Sequence, residues 1–528
     1  MRQVQVVGSL AMRMMRPWSN GKIYSTTFTH CLCQRRNDGW TQTRLRLLTT
    51  TSLNSISAQS QPTATRYLIH WRGEHKEQYS HSFRRWEWLS ALSATVAEKC
   101  GLRASDLLKS FRDCSIFTNA FSYDPYQRND QLPSSVTLSQ VEMYNQALQY
   151  VHFTNNGVDS GLSNGITPEI LARAAERCSL INAAYLVLAD GSSYPELVDR
   201  SLQSISFNDM IKNETTATWR VRRHEFSFAD DDNNPRFGKN TTRSVPKERA
   251  ALPHLKEVLV QFGGKVDLKK PECDIYLFEG LSDNILGANT QRNNLFKILA
   301  RRLTEGATHS IMAPKTRICI TKTPLCSIAA YILANVAMVQ EHQTILDPFA
   351  GSAATLLAAS LISPTVRTVG IEIAKDESIS KSNIREDFIS RGVAEPVALL
   401  EGDVMDHITR DKARAAIGTA FDVIITDPPY GRREALSGVG VGNDNCEALN
   451  DLIDVIGQDR KRGRPLLRPG GQLVAFLPCP KGSNIMDLLP SRERLAFACL
   501  ELKEKRKQKL NDSSRWVLSF VSQDNPVN

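Results

Sequence analysis

Six short apolar runs, "TILDPF", "RTVGIEI", "VALLEGD", "FDVIITD", "GGQLVAFLP" and "WVLSFVS", punctuate residues 344–522, with segments of helical periodicity between them. Runs this apolar need cover on both faces, and helices alternating with strands supply it only when the strands lie parallel. The pattern predicts a doubly wound, Rossmann-like α/β domain over residues 306–522. In such sheets a ligand sits beyond the carboxyl ends of the strands, where strand order reverses. Four successive runs place an acid there: Asp347, Glu372, Asp403 and Asp427.

The chain before that domain follows another grammar. "RYLIHW" reads as a strand and "SFRRWEWLSALSATVAEKCGL" as an amphipathic helix closed by Gly101. "TWRVRRHEFSF" alternates like a strand, and a further strand is expected from Cys273 to Phe278. "NLFKILARRLTEG" reads as a short helix stopped by Gly306, which sets a domain boundary near 305–315. The expectation is an α+β region over 65–305 with a polar insertion at about 155–250, whose "FADDDNNPRFGKNTTRS" has the marks of an exposed loop. Residues 523–528 are a tail, and the charge run "LKEKRKQK" (502–509) reads as a solvated loop between the last two strands.

Composition narrows the setting. Residues 1–73 hold ten Lys or Arg against the single acid Asp38, the whole of the net charge of +9. Residues 1–64 therefore read as a transit-peptide-like leader or a disordered extension. The neutral remainder requires any nucleic-acid site to be a local patch. No apolar run approaches the roughly 18 residues of a membrane helix. The eleven cysteines include no C-x-x-C and the ten histidines no zinc-ligand spacing, so no metal site is expected and the thiols read as reduced and intracellular.

The chemistry resides in the acidic rim. No G-x-x-x-x-G-K-[ST] and no G-x-G-x-x-G occurs, so a phosphate-rich ligand has no cradle. An acidic rim suits a cationic, sugar-bearing ligand, and S-adenosylmethionine is one. Glu372 is placed for its ribose diol and Asp403 for its adenine amine, while Gly351 permits close backbone approach. "DPPY" after the fourth strand then faces the reacting atom. Asp427 and the Pro428 carbonyl can accept both hydrogens of a nucleobase amine and aim its lone pair at the methyl. Pro429 stiffens the turn, and Tyr430 offers a face for a flipped base.

Asp427, Pro428, Pro429 and Tyr430 match the (Asn/Asp)-Pro-Pro-(Tyr/Phe/Trp) tetrad of the amino-methyltransferases. With "LARRLTEG", "ILANVAMV", "LDPFAGSAATL", "DPPYGRRE" and "GGQLVAFLP" in order, the chain resembles the tRNA (guanine-10-N2)-methyltransferases of eukaryotes and archaea. "GGKVDLKKPECDIYLFE" is similar to the end of their RNA-binding THUMP module. The resemblance implies a class I fold, S-adenosylmethionine as cofactor, a guanine N2 in tRNA as acceptor, and a small zinc-binding activator subunit as partner. It further implies cofactor contacts from Asp347, Phe349, Gly351, Glu372, Asp403 and Thr323. RNA phosphates need cations, and the sequence offers Arg220, Arg222 and Arg223 in "WRVRRH", with Arg432 and Arg433 directly after the tetrad. The resemblance implies a cytoplasmic location, whereas the leader fits a mitochondrion or plastid. Ala353 departs from the family's Gly-x-Gly-Ser and would be strained at positive φ. The alternatives are another base amino-methyltransferase, acting on rRNA or DNA, or an inactive RNA-binding scaffold on the same fold.

Overall fold

The computed structural model describes residues 65–73, 78–121, 146–153, 166–225, 245–280, 297–321, 324–373, 379–430, 447–510 and 513–524. The leader, "FADDDNNPRFGKNTTRS", Thr323, Arg432 and Arg433 lie outside them.

Two seven-stranded sheets organise the chain. The first holds β1 (Tyr67–Trp71), β2 (Ser115–Asn119), β3 (Leu148–Phe153), β4 (Ile181–Gly191), β5 (Trp219–Glu225), β6 (Cys273–Glu279) and β7 (Lys297–Glu305). Their order is β2-β3-β1-β4-β7-β6-β5, antiparallel except for the β5–β6 pair. The helix His81–Cys100 packs its apolar face on this sheet, burying Trp88, Leu92 and Val96. It ends where Gly101 adopts φ +68, which lets its N–H reach the Ala97 carbonyl at 2.8 Å.

Two expectations fail here. Residues 297–305 form a strand rather than a helix: Ile298, Leu299 and Ala300 are buried in succession and the backbone pairs with β4 on one side and β6 on the other. Two available ladders outweigh the helix propensity of "LARRLTE". The stretch read as a polar insertion likewise contains the central strand β4 and helices Pro168–Glu176 and Tyr194–Gln203 within 166–225. Its Thr and Ser residues cap these helices, as Thr167 does by accepting from the Ile170 N–H and Ser193 from the Glu196 N–H.

The second sheet runs β10-β9-β8-β11-β12-β14-β13. Its strands are β8 (Thr344–Asp347), β9 (Arg367–Glu372), β10 (Ala398–Glu401), β11 (Phe421–Thr426), β12 (Leu467–Cys479), β13 (Leu500–Lys509) and β14 (Ser514–Ser522). The first five are parallel, and β14 lies antiparallel between β12 and β13. The run 502–509 is thus an edge strand, not a loop. Its residues are almost all polar, so no apolar alternation marks it, and alternating lysines are how an open edge resists further pairing. Strand order reverses between β8 and its neighbours β9 and β11, which fixes the crevice.

A buried carboxylate joins the two halves. Glu87, fully buried on the helix His81–Cys100, accepts hydrogen bonds from the Ser179 N–H (2.7 Å), the Ser179 hydroxyl (2.8 Å), the Leu180 N–H (3.0 Å) and Asn335 Nδ2 (3.1 Å). Asn335 belongs to the helix Ser327–Val336, every residue of which is buried, and its amide also donates to the Arg177 carbonyl at 2.7 Å. Removing the acceptor strands several buried donors, at about 1–3 kcal/mol each before relaxation. Glu87→Ala is expected to cost about 3 kcal/mol or more in urea unfolding, and Glu87→Gln less. An unchanged midpoint in Glu87→Ala would show that this junction carries no stability.

Candidate active site

Asp347 closes β8 at the switch point and is 1% exposed. One of its oxygens accepts from the Phe349 N–H at 3.0 Å and the Thr426 hydroxyl at 2.9 Å, and the other from the Thr355 hydroxyl. Its carboxyl therefore ties together the end of β8, the loop behind it, the helix Ala354–Ile362 and the end of β11. Burial pushes its pKa up to about 7 against the pull of those donors, with the charge of Glu372 adding to the rise.

The loop between Asp347 and Ala353 bends on two left-handed residues. Gly351 has φ +50, and a Cβ built there would meet nothing nearer than Thr321 Cγ2 at 3.7 Å, so that side of the loop is open. Its N–H donates to Glu372 Oε2 at 2.6 Å, locking the loop to the end of β9. Gly370 in β9 admits the loop at close range: a Cβ there would lie 2.9 Å from the Ala350 methyl. Ala353 has φ 58 and ψ 34, so the strain foreseen at this position is present, at roughly 1–2 kcal/mol. Its buried methyl in the core offsets part of that.

The other rim acids sit as follows. Glu372 is half-buried at the end of β9; Asp403, after β10, is exposed and accepts the Met405 N–H at 2.8 Å. Phe349 is partly buried against the core between β11 and its covering helices. Behind the loop lies an ion pair with no sequence signature, Arg317 Nε to Asp387 Oδ2 at 2.8 Å, 4% and 0% exposed. Arg317 also donates to the Ser352 carbonyl, and Asp387 accepts the Ile318 and Cys319 N–H groups at 2.8 and 3.1 Å. The chain just before Thr323 is thereby fastened to the loop after β8.

Asp427 follows Thr426 directly, and its side chain is 24% exposed. The Tyr430 hydroxyl donates back to Asp427 Oδ1, so the Pro-Pro turn closes on itself. Burial, then the Asp427 charge, push that hydroxyl well above its ordinary pKa, which keeps it protonated as a donor. The second carboxylate oxygen faces Arg515 Nη1 at 3.4 Å, and the same nitrogen lies 3.5 Å from the Tyr430 oxygen. Sequence reasoning missed Arg515, since its position opposite the tetrad depends on β14 entering antiparallel to β12.

The three described arginines expected to bind RNA are engaged within the protein. Arg220 pairs with Glu248 at 2.8 Å, Arg222 with Asp274 at 2.7 Å, and Arg223 with Glu279. All three face carboxylates about one-tenth exposed or less, so in this structure they neutralise buried acids on β6 (Asp274 and Glu279) and on the helical segment Val245–Ala251 (Glu248).

Residues 314–438 match the family model described as UPF0020, RMKL-like, methyltransferase domain. With the strand order above, the second sheet has the architecture of a class I methyltransferase domain. Over longer spans the chain is similar to tRNA (guanine(10)-N(2))-methyltransferase TRMT11. Identity to the rat protein (Rattus norvegicus) is 28%, over 68% of this chain and 79% of that one; to the chicken protein (Gallus gallus) it is 27%, over 49% and 60%. Among solved structures, TrmN from Thermus thermophilus aligns over 71% of this chain and 89% of its own, with 16% identity and a TM-score of 0.32.

Asp347 gives the site a pH signature. The unfolded chain ionises an aspartate near pH 4, whereas the folded chain holds this proton up to about 7. Across that window the native state binds the extra proton, so stability falls as pH rises, by up to about 1.4 kcal/mol per unit. Asp347→Asn is expected to flatten the slope of urea midpoint against pH between 4 and 7. Parallel slopes in variant and wild type would contradict the assignment.

Proposed function

We propose that this enzyme transfers a methyl group from S-adenosylmethionine to N2 of guanine 10 in tRNA. The observation that carries the reading is Asp427: a partly exposed acid at the switch-point rim, fixed by its own Pro-Pro-Tyr turn and by a buried arginine. The likeness to TRMT11 supports tRNA and its guanine as the acceptor.

S-adenosylmethionine supplies a methyl group on a sulfonium, a leaving group that needs no activation. Of this chain's residues, Glu372 fits the ribose diol and Gly351 leaves room for the methionine end, while Asp403 fits the adenine amine. Asp347 and Phe349 shape the loop from behind, and Thr323 belongs to the segment that Arg317 fastens. Each carboxylate oxygen can accept more than one hydrogen, so Asp427 can hold an amine hydrogen while still engaged with Tyr430 and Arg515. The Pro428 carbonyl takes the second hydrogen, and Pro429 keeps the two acceptors in register. As the amine nitrogen becomes positive, the carboxylate stabilises it more than the ground state, lowering the barrier. Tyr430, anchored through its hydroxyl, presents ring surface to the base.

The region before residue 306 serves as the RNA-binding, THUMP-like domain. Since Arg220, Arg222 and Arg223 are engaged in ion pairs, phosphate contacts rest more on exposed cations such as Lys507 and Lys509 on β13, with Arg432 and Arg433, which follow the tetrad in sequence, as further candidates. An activator subunit would dock at the open edge strand β10, where Val397 and nearby Ile373 are each 42% exposed. The address is cytoplasmic by family, and the acid-poor leader supports organelle import as the alternative.

The test is methyl transfer from labelled cofactor to tRNA, rRNA and DNA, with nucleoside analysis of the product. N2-methylguanosine at tRNA position 10 is expected. Asp427→Ala should lower turnover at least about 1000-fold with cofactor and tRNA affinities nearly intact. Label in DNA or rRNA alone, or an active Asp427→Ala, would contradict the reading.

A further inference from the structure

Arg515 is a buried cation in an apolar strand. It is 8% exposed, its guanidinium carbon lies 3.7 Å from the centroid of the Phe476 ring, and its Nε donates to Gln508 Oε1 at 2.7 Å. Gln508 is 2% exposed, and its amide nitrogen donates to the Tyr79 hydroxyl at 2.8 Å. Tyr79, 1% exposed, precedes the helix His81–Cys100, and backbone bonds hold it: Tyr79 bridges to Gln508, and the Lys509 N–H donates to the Gln78 carbonyl at 3.0 Å. A buried, hydrogen-bonded line therefore runs from the strand–helix connection near residue 79, through β13 and β14, to the carboxylate of Asp427.

We propose that Arg515, aimed by Gln508 and Tyr79, is the positioning residue that orients the Asp427 carboxylate and keeps it ionised for methyl transfer. This rests on the reading of Asp427 given above and adds to it the group that makes the acid competent. Burying a guanidinium costs several kcal/mol unless it is paired, and lining a sheet needs no such charge. Burial opposes the Arg515 charge, yet Asp427 and Tyr430 beside it more than offset that and leave its pKa above the usual value. The fork is held at three points, by Phe476 below, Gln508 at Nε, and Asp427 with Tyr430 at Nη1, so its direction is fixed before any substrate arrives. It touches the acid and not the acceptor base.

Among the described residues, groups facing Asp427 include Tyr430 and Arg515, with Tyr79 behind Arg515 and Asp347 beyond Thr426. Removing the Arg515 charge raises the Asp427 pKa, because an adjacent arginine lowers a carboxyl by about 1–3 units. The acid limb of the rate then moves to higher pH.

The experiment is single-turnover methyl transfer to tRNA across pH 5–9 for wild type, Asp427→Ala, Arg515→Gln, Arg515→Lys, Gln508→Leu and Tyr79→Phe. Cofactor affinity and melting temperature are read in parallel. Arg515→Gln should slow the step at least about 10-fold and raise the acid limb by about one unit, with cofactor affinity within about twofold. Arg515→Lys should leave the limb in place while remaining slow, since it keeps the charge and loses the fork. Tyr79→Phe should slow the step about threefold in the wild type and not at all in Arg515→Gln. If Arg515→Gln melts below assay temperature, Gln508→Leu and Tyr79→Phe decide: slowed steps support the proposal, and wild-type rates overturn it. A wild-type rate and acid limb in folded Arg515→Gln also overturns it. A wild type that methylates no tRNA, or an active Asp427→Ala, would instead remove the reading of the site itself.

Discussion

A single buried carboxyl sets the geometry of the catalytic half. At the strand-order reversal, where β8 lies between β9 and β11, Asp347 ties the end of the sheet together by accepting from Thr426 on β11, from Thr355 on the following helix and from its own loop. Because Asp427 follows Thr426 without a spacer, its position derives from that hub. The loop after β8 derives from it too through the Phe349 N–H, and the bond from the Gly351 N–H to Glu372 ties that loop to β9. One protonatable group thus fixes both sides of the crevice, which is why a cost as large as its burial is tolerated.

The N-terminal half also bears on the geometry of that crevice. Glu87 fastens the helix His81–Cys100 to Asn335 on the helix Ser327–Val336, and Tyr79 lies just ahead of the same long helix. A helix seated by fully buried bonds can hold Tyr79 against Gln508 with little play. Strain is accepted at Ala353, where a left-handed alanine opens the helix next to the loop, and the surrounding apolar core over-determines that conformation.

Much of the catalytic domain was legible because its strands are buried on both faces and so appear as uninterrupted apolar runs ending in acids. The same rule failed wherever pairing rather than pattern decided the structure. Residues 297–305 have helical composition but sit between two strands that need a partner, and β13 is a strand of lysines and glutamates with no apolar period. Arg515 and Asp387 escaped for a related reason: each matters through a partner nearly 90 or 70 residues away, and no local spacing encodes such a distance. Arg220, Arg222 and Arg223 erred the other way, since a basic run in sequence shows its charges but not the carboxylates of β6 and of the helical segment at Glu248 that neutralise them.

The central claim is that a fixed acid at the end of β11 receives an amine beside a methyl donor seated over β8 and β9. The most direct measurement is a crystal structure with an unreactive S-adenosylmethionine analogue bound. The account predicts the ribose against Glu372 and the methyl-bearing end directed at Asp427, with Arg515 still on the carboxylate. An analogue seated elsewhere, or an Asp427 turned away from it into the sheet, would contradict the account.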